Sequence, residues 1–584
     1  MKSAMRVRKL VAVLGTLAIA STGLAACGGG GDSTSSGGGA QTDAAGFAVT
    51  TGQAKRGGTI SVLGSVDLAS LDPAIGNDGN VNNFYRLIYR NLTTYANEPG
   101  DGGTKVVPDL ATSTGESSKN ATVWKFTLKD DIFFSDGTPI TSKDVKFGFE
   151  RAMDPSLAIG NQYGRQFVDG ASKYKGIFKD SAGLKSIKTP DDRTIVFHLN
   201  RPLAAFPNVV STGPFVPFPA DKVKSPQQIG KEPIASGPYM IKSYTHGSSL
   251  ELERNPRWSA KTDAVRKAYP DGFKFLFSVD QNTIDQRMIS DEGDDKDAMA
   301  SSTNPLLAPS LARIQTPELK QRTVHDIPAC TMYMAMNNTK KPLDKLQVRQ
   351  AINYAVDKKS VVTATGGPTM ATVATDMLTP KVPGRVDFDL YPSKDHAGDV
   401  AKAKQLLADA GYPNGFSMTM DVRSIPKWQA QAEAVQASLK KIGINVKLNV
   451  IDASTFYDVI GQPSKQHDLA ITGWCSAWLS GQPLLTSLFD GRTITQKGNQ
   501  NISQFDSDKI NKRIDEIAKI ADLDKQNAEY AKLNREILEQ APVVPLVRET
   551  PLQMVGSNVG GAFAHAAQTG YIDYTSVGLK NPQE

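Results

Sequence analysis

The sequence predicts an α/β fold divided into two or three lobes, on three observations. The chain has 584 residues, more than a single hydrophobic core serves, so it should divide into two or three parts. Trp428 to Ile442 places Val435, Leu439 and Ile442 on one helical face and ends at Gly443, after which Ile444, Val446, Leu448 and Val450 alternate as a strand. Such strand–helix–strand order builds a sheet flanked by helices. The chain also reads as crossing between lobes twice, just before Ser236 and over the strand-like Tyr333–Asn337.

The N-terminus stands apart. Lys2, Arg6, Arg8 and Lys9 precede the apolar run Leu10–Ala20 and the small residues Ser21-Thr22-Gly23. That run is too short to span a bilayer comfortably and has the form of a secretory signal. Leu24-Ala25-Ala26-Cys27 then resembles the bacterial lipobox. Residues 1–26 are therefore expected to be a signal peptide, with lipid on the Cys27 thiol anchoring the chain outside the cytoplasmic membrane. The Gly/Ser/Thr-rich stretch that follows cannot bury enough apolar surface to fold, so residues 27–55 are expected to form a flexible, lipidated tether.

Composition narrows the function classes. Hydrophobic content of 40% and charged content of 22% read as globular. Four of the six net positive charges lie in the leader, which leaves +2. With no dense basic stripe elsewhere, no nucleic-acid partner is expected.

The remaining elements follow in order. Gly57-Gly58 opens a strand at Thr59-Ile60-Ser61-Val62, and Leu71-Asp72-Pro73 is a turn. Asn80 to Tyr95 reads as a helix with Val81, Phe84, Tyr85, Ile88 and Leu92 on one face. Trp124–Leu128 alternates as a strand, Asp136-Gly137 makes a turn, and Thr141-x-x-Asp144 is a capping box opening a helix through Val145, Phe149 and Ala152. Asp191–Leu199 is a turn and a strand, and Asp399–Ala410 is a helix stopped by Gly411. Ile510, Ile514 and Ile517 mark one late helix, and Leu533, Ile537 and Leu538 another.

The stretch Leu469–Trp478 is the candidate binding wall. An apolar run of strand length breaks at Gly473 into Trp474-Cys475-Ser476-Ala477-Trp478, where the glycine permits close approach and each indole keeps one N–H donor. The alternative is a core strand whose aromatics pack inside a large domain. No Gly-x-Ser-x-Gly elbow, His-Glu-x-x-His or phosphate loop occurs, and the six histidines have no metal-ligand spacing. No catalytic residue, metal or cofactor is therefore assigned. A triad assembled from distant residues leaves a secreted peptidase or amidase as the rival class.

Several blocks resemble family 5 extracytoplasmic solute-binding proteins of the oligopeptide- and dipeptide-binding type. These are Gly57-Gly58-Thr59-Ile60, Leu71-Asp72-Pro73, the Phe134-x-Asp136-Gly137 turn with its helix through Asp144, Val145 and Arg151, Ser236-Gly237-Pro238-Tyr239, Arg254-Asn255-Pro256-x-Trp258, Val348-Arg349-x-Ala351 to Asp357, and Pro542–Val547. Residues 473–478 resemble the family's Gly-Trp-x-x-Asp-Trp/Tyr segment, in which the Trp lines the cleft and the Asp holds a peptide's α-amino group. Ala477 stands at that Asp position.

The resemblance implies a type II, two-lobed periplasmic-binding-protein-like fold of the large kind with an extra subdomain and a hinge. Lobe I would combine 56–95, 233–329 and 545–584, with 96–232 as its subdomain, and 330–544 would form lobe II. It also implies a ligand site at Asn80, Asn82, Asn83, Trp474, Cys475, Ser476, Ala477 and Trp478, and a disulfide between Cys330 and Cys475. The expected partners are a small solute, peptide or peptide-like, and the permease and ATPase subunits of an ABC importer. The same fold binding a sugar or other non-peptide solute is the alternative. With Ala477 in place of the Asp, a free amine is not expected to be strongly required.

Overall fold

The computed structural model describes residues 40–76, 79–157, 163–325, 330–453 and 455–582, and within them the chain builds two sheet-centred lobes and a subdomain. In the first lobe a five-stranded sheet runs in the order Tyr239–Thr245, Ser249–Arg254, Gly272–Leu276, Thr59–Leu63, Ala298–Ala300. Thr59–Leu63 is parallel to both neighbours. Its Ile60 and Val62 meet Phe273, Phe275 and the helix residues Val81, Phe84 and Ile88 in one buried cluster.

That helix spans Gly79–Ile88, shorter than its apolar periodicity predicts. The β-branched pair Thr93-Thr94 forms a strand with Val106–Pro108 instead. Arg90 is held in the connection by hydrogen bonds to the Asp109 side chain and carbonyl.

A second small sheet corrects the extent of the tether. Gln41–Thr42 and Ala48–Thr50 pair with each other, and Ala48–Thr50 also pairs with Thr323–Val324. Phe47 and Ala48 are buried, and the backbone of Thr51 and Lys55 donates to Ala562 and Leu579. Residues 40–55 thus belong to the globule, because two apolar side chains and the C-terminal segment capture them. Residues 27–39 lie outside the described residues.

The subdomain carries the four-stranded sheet Glu116–Ser118, Val123–Thr127, Thr194–His198, Ile187–Lys188. The Asp136-Gly137 turn places Gly137 at φ +88°, which suits glycine. The Thr141 amide donates to Asp144 at 2.8 Å, closing the capping box of helix Ser142–Ala152. That helix buries Val145, Phe149 and Ala152 beside Phe126 and Phe197.

Lobe II is a six-stranded sheet in the order Ala371–Val373, Val543–Glu549, Cys330–Met336, Leu469–Cys475, Phe416–Arg423, Ile444–Ile451. Helices including Leu346–Ala355, Val400–Asp409 and Pro426–Lys440 contribute to its core. This corrects the expected lobe boundary at 545. Val543–Glu549 stays paired with Cys330–Met336, and the next lobe I pairing is Gln553–Met554 with Thr323–Val324. Pro545, which has no N–H for a ladder, is accommodated where the register shifts opposite Tyr333.

Candidate functional site

Leu469–Cys475 is a central strand, antiparallel to Cys330–Met336 and parallel to Phe416–Arg423. A side chain at Gly473 would collide with the Met332 sulfur, so the close approach there is to the neighbouring strand. Cys330 and Cys475 face each other in register, 4.2 Å apart at Cα, and are joined by a disulfide. With its sulfur committed, Cys475 shapes the end of the strand and offers a ligand no thiol.

Beyond Cys475 the chain leaves the sheet and enters the subdomain. Trp478 is only 1% exposed and joins the subdomain's hydrophobic cluster, its ring set edge-on to Tyr163 with centroids 4.7 Å apart. Ser480 then caps the helix Gly481–Phe489 and donates to Asn527 at 2.8 Å, which fixes where the loop ends. Trp474 is half-buried against the lobe II core, and Ala477 is exposed.

Trp474 Nε1, Ser476 Oγ, Trp478 Nε1 and Gln482 Oε1 are enclosed and have no hydrogen-bond partner in the protein. Leaving such an atom unpaired costs about 1–3 kcal/mol, so a run of them marks a surface completed by something else. Ser476 and Trp478 line a small cavity of about 10 Å³ together with Thr379, Leu479, Ala566, Ala567 and Thr569. That is room for roughly one water molecule, far below the roughly 300–1,000 Å³ of small-molecule sites.

The three asparagines divide. Asn80 lies outside the described side chains. Asn82 Oδ1 is enclosed and unpartnered, close to Gly213. Asn83 sits elsewhere than the sequence suggests. It is fully buried, donates to Ser302 Oγ at 2.8 Å and to the Ile572 carbonyl at 2.6 Å, and accepts from the Tyr574 amide. Its amide ties the helix to the C-terminal segment, so any ligand contact would break those bonds. Thr379, Leu479, Ala566, Ala567 and Thr569 were not legible as site residues; they are short or apolar side chains that only the fold brings together.

Behind the cavity wall lies a buried ionic group. Arg86 pairs with Asp573 at 2.9 Å, and His565 Nε2 donates to the Ala96 carbonyl while its Nδ1 accepts from Ala567. Burial pushes the His565 pKa down to about 4, so the ring is neutral and packs as a hydrogen-bonding spacer. Burial alone would raise the Asp573 carboxyl, but the Arg86 guanidinium and then His565 bring it down to about 2. Among the described residues no cluster of His, Cys, Asp or Glu could hold a metal ion.

Residues 105–496 match the family model for the bacterial extracellular solute-binding proteins, family 5 (middle). The chain belongs to that family. This family 5 protein is similar to a solved clavulanic acid biosynthesis oligopeptide binding protein 2 (31% identity, TM-score 0.87, covering 93% of this chain and 99% of that one). It is also similar to DppA from Helicobacter pylori, solved with the peptide STSA (25% identity, TM-score 0.71, 90% and 99% covered). The probable D,D-dipeptide-binding periplasmic protein DdpA of Escherichia coli K12 is 25% identical over 510 residues, 85% of this chain and 90% of that protein. The fold is thus the two-lobed, mixed α/β fold of periplasmic binding proteins, and the chain is a solute-binding protein of family 5.

Proposed function

We propose that this family 5 protein is the lipid-anchored receptor of an ABC importer, capturing peptides or peptide-like solutes between its lobes and delivering them to a membrane permease. One observation carries the reading. The unpartnered polar atoms of residues 474–478 stand beside a cavity lined by lobe II residues and by the C-terminal segment 566–569. A site completed by a solute and released by hinge opening accounts for both. The relatives named for oligopeptide and dipeptide binding support the solute class.

No helix among the described residues is long and apolar enough to cross a membrane. Attachment would fall to Cys27, which lies outside the described residues. The Cys330–Cys475 disulfide supports an oxidising, extracytoplasmic setting. Energy for transport would come from partner ATPases, and binding would proceed without turnover.

Mass spectrometry of solutes that co-purify with the protein tests the solute class. Peptides in the bound fraction, recovered uncleaved after incubation, are expected; hydrolysis would favour the peptidase reading, and a sugar alone would replace the substrate class. Cys27→Ala should abolish lipid on the mature chain, and a wild-type chain without lipid would end the anchoring reading.

A further inference from the structure

The strands Phe416–Arg423 and Ile444–Ile451 are parallel, aligned from Phe416 opposite Ile444 to Arg423 opposite Ile451. Parallel strands are ordinarily covered on both faces and read as unbroken apolar runs. This pair alternates instead. Met418, Met420 and Val446 are buried in the core cluster with Val435 and Leu439 of helix Pro426–Lys440. On the other face Ser417, Asn445 and Lys447 are exposed and Thr419 is half-buried. Farther along that face Asp421 is fully buried, accepting from Asn449 at 2.8 Å and from the His467 amide at 2.9 Å.

Near the strand starts this uncovered face forms a depression of about 390 Å³ lined by Ser417, Thr419, Asn445, Lys447 and Asp468. Its volume falls in the range of small-molecule sites, roughly 300–1,000 Å³. It is also distant from the candidate binding wall. Leu469 lies beside Met420 where the two strands meet, and residues 474–478 leave their strand at its other end.

The lining carries one cation and one anion, on either side of Thr419. Lys447 is the register partner of Thr419 and, among the described residues, forms no ion pair. Asp468, on the side of the neighbouring strand, accepts from the Thr419 amide through Oδ2 at 2.8 Å. Lys340 comes only to 3.9 Å from Asp468 Oδ1, beyond hydrogen-bond reach, and donates to the Gln466 carbonyl at 2.8 Å. Asp468 Oδ1 and the Lys447 ammonium are thus both open to a ligand, with two hydroxyls and the Asn445 amide beside them. A simple anion held by Lys447 would face the Asp468 carboxylate, and a simple cation held by Asp468 would face Lys447 and Lys340. A small molecule with both charges a few ångströms apart meets each with its opposite.

We propose that this depression is a second binding site, separate from the one between the lobes, for a small zwitterion of the free α-amino acid class. Lys447 and Asn445 take the carboxylate, and Asp468 Oδ1 with the Thr419 hydroxyl takes the ammonium.

The test is calorimetric titration of the purified full chain with L-alanine, N-acetyl-L-alanine and L-alaninamide. L-alanine is expected to bind with a Kd of about 1 mM or tighter, and each blocked form at least tenfold more weakly. No saturable binding of L-alanine, or equal binding of either blocked form, overturns the proposal. Lys447→Met removes the exposed cation, and Asp468→Asn keeps the acceptor for the Thr419 amide while removing the charge. Each should weaken L-alanine at least tenfold with an unchanged melting profile. Unchanged affinity in both would place the amino acid elsewhere and overturn the site. Peptides that co-purify with the protein should be the same in both variants, so the peptide-receptor reading stands or falls independently.

Discussion

Replacing Arg151 by methionine examines how two sequence blocks far apart in the chain are locked together. Asp72, in the Leu-Asp-Pro turn, is fully buried and so is Arg151, at the end of the subdomain helix. The Asp72 carboxylate accepts from Arg151 Nη1 at 2.8 Å, from Arg151 Nη2, and from the Ala74 amide at 2.9 Å. The guanidinium also donates to the Pro226 carbonyl and lies over the Phe218 ring. Among the described residues, loss of Arg151 leaves the carboxylate with the Ala74 amide as its donor and no counter-charge. Breaking one partner of such a pair costs about 3–5 kcal/mol, whereas removing both charges together does not leave an uncompensated ion. Arg151→Met should therefore lose about 3–5 kcal/mol. The Asp72→Asn/Arg151→Met double variant should be more stable than the sum of its singles by roughly 1–3 kcal/mol. Arg151→Lys should fall between, since an ammonium cannot reproduce the two-pronged geometry. Urea midpoints at constant slope provide the readout. A loss under about 1 kcal/mol for Arg151→Met, or strict additivity in the double variant, would refute the reasoning.

Two further outcomes follow from the same structure. The Cys330–Cys475 disulfide spans 145 residues, and the chain-entropy relation assigns a loop of that length about 5 kcal/mol. The Cys330→Ser/Cys475→Ser variant should unfold at a clearly lower urea concentration, and an unchanged midpoint would show that the unfolded state is not constrained by the bridge. His565 supplies a pH dependence. Its folded pKa is lowered from 6.5 to about 4, so the unfolded chain takes up a proton that the folded ring refuses. Stability is then fully present above about 6.5 and declines as pH falls toward 4, by up to about 3 kcal/mol. Melting temperature against pH should slope less for His565→Gln than for wild type over that window, and equal slopes would contradict the assignment.

What the sequence determined by itself is local. The capping box Thr141/Asp144, the turn at Gly137 and the helix ended by Gly443 depend on residues within a few positions of one another, so spacing alone announces them. The family motifs were legible for the same reason, as was Trp474–Trp478 as the segment to watch. Tertiary structure decided where those pieces meet. It drew residues 40–55 into the globule because Phe47 and Ala48 found apolar partners. It kept Val543–Glu549 in lobe II through pairing with a strand more than two hundred positions earlier in the chain. It turned Asn83 into a tie to the C-terminal segment, 491 positions from its Tyr574 donor, and it joined Ser476 and Trp478 to Ala566, Ala567 and Thr569 around one neutral cavity. Side-chain periodicity records which face of an element is apolar. It does not record which other face will cover it, because that choice is made by packing and hydrogen-bond satisfaction among residues brought together only when the chain folds.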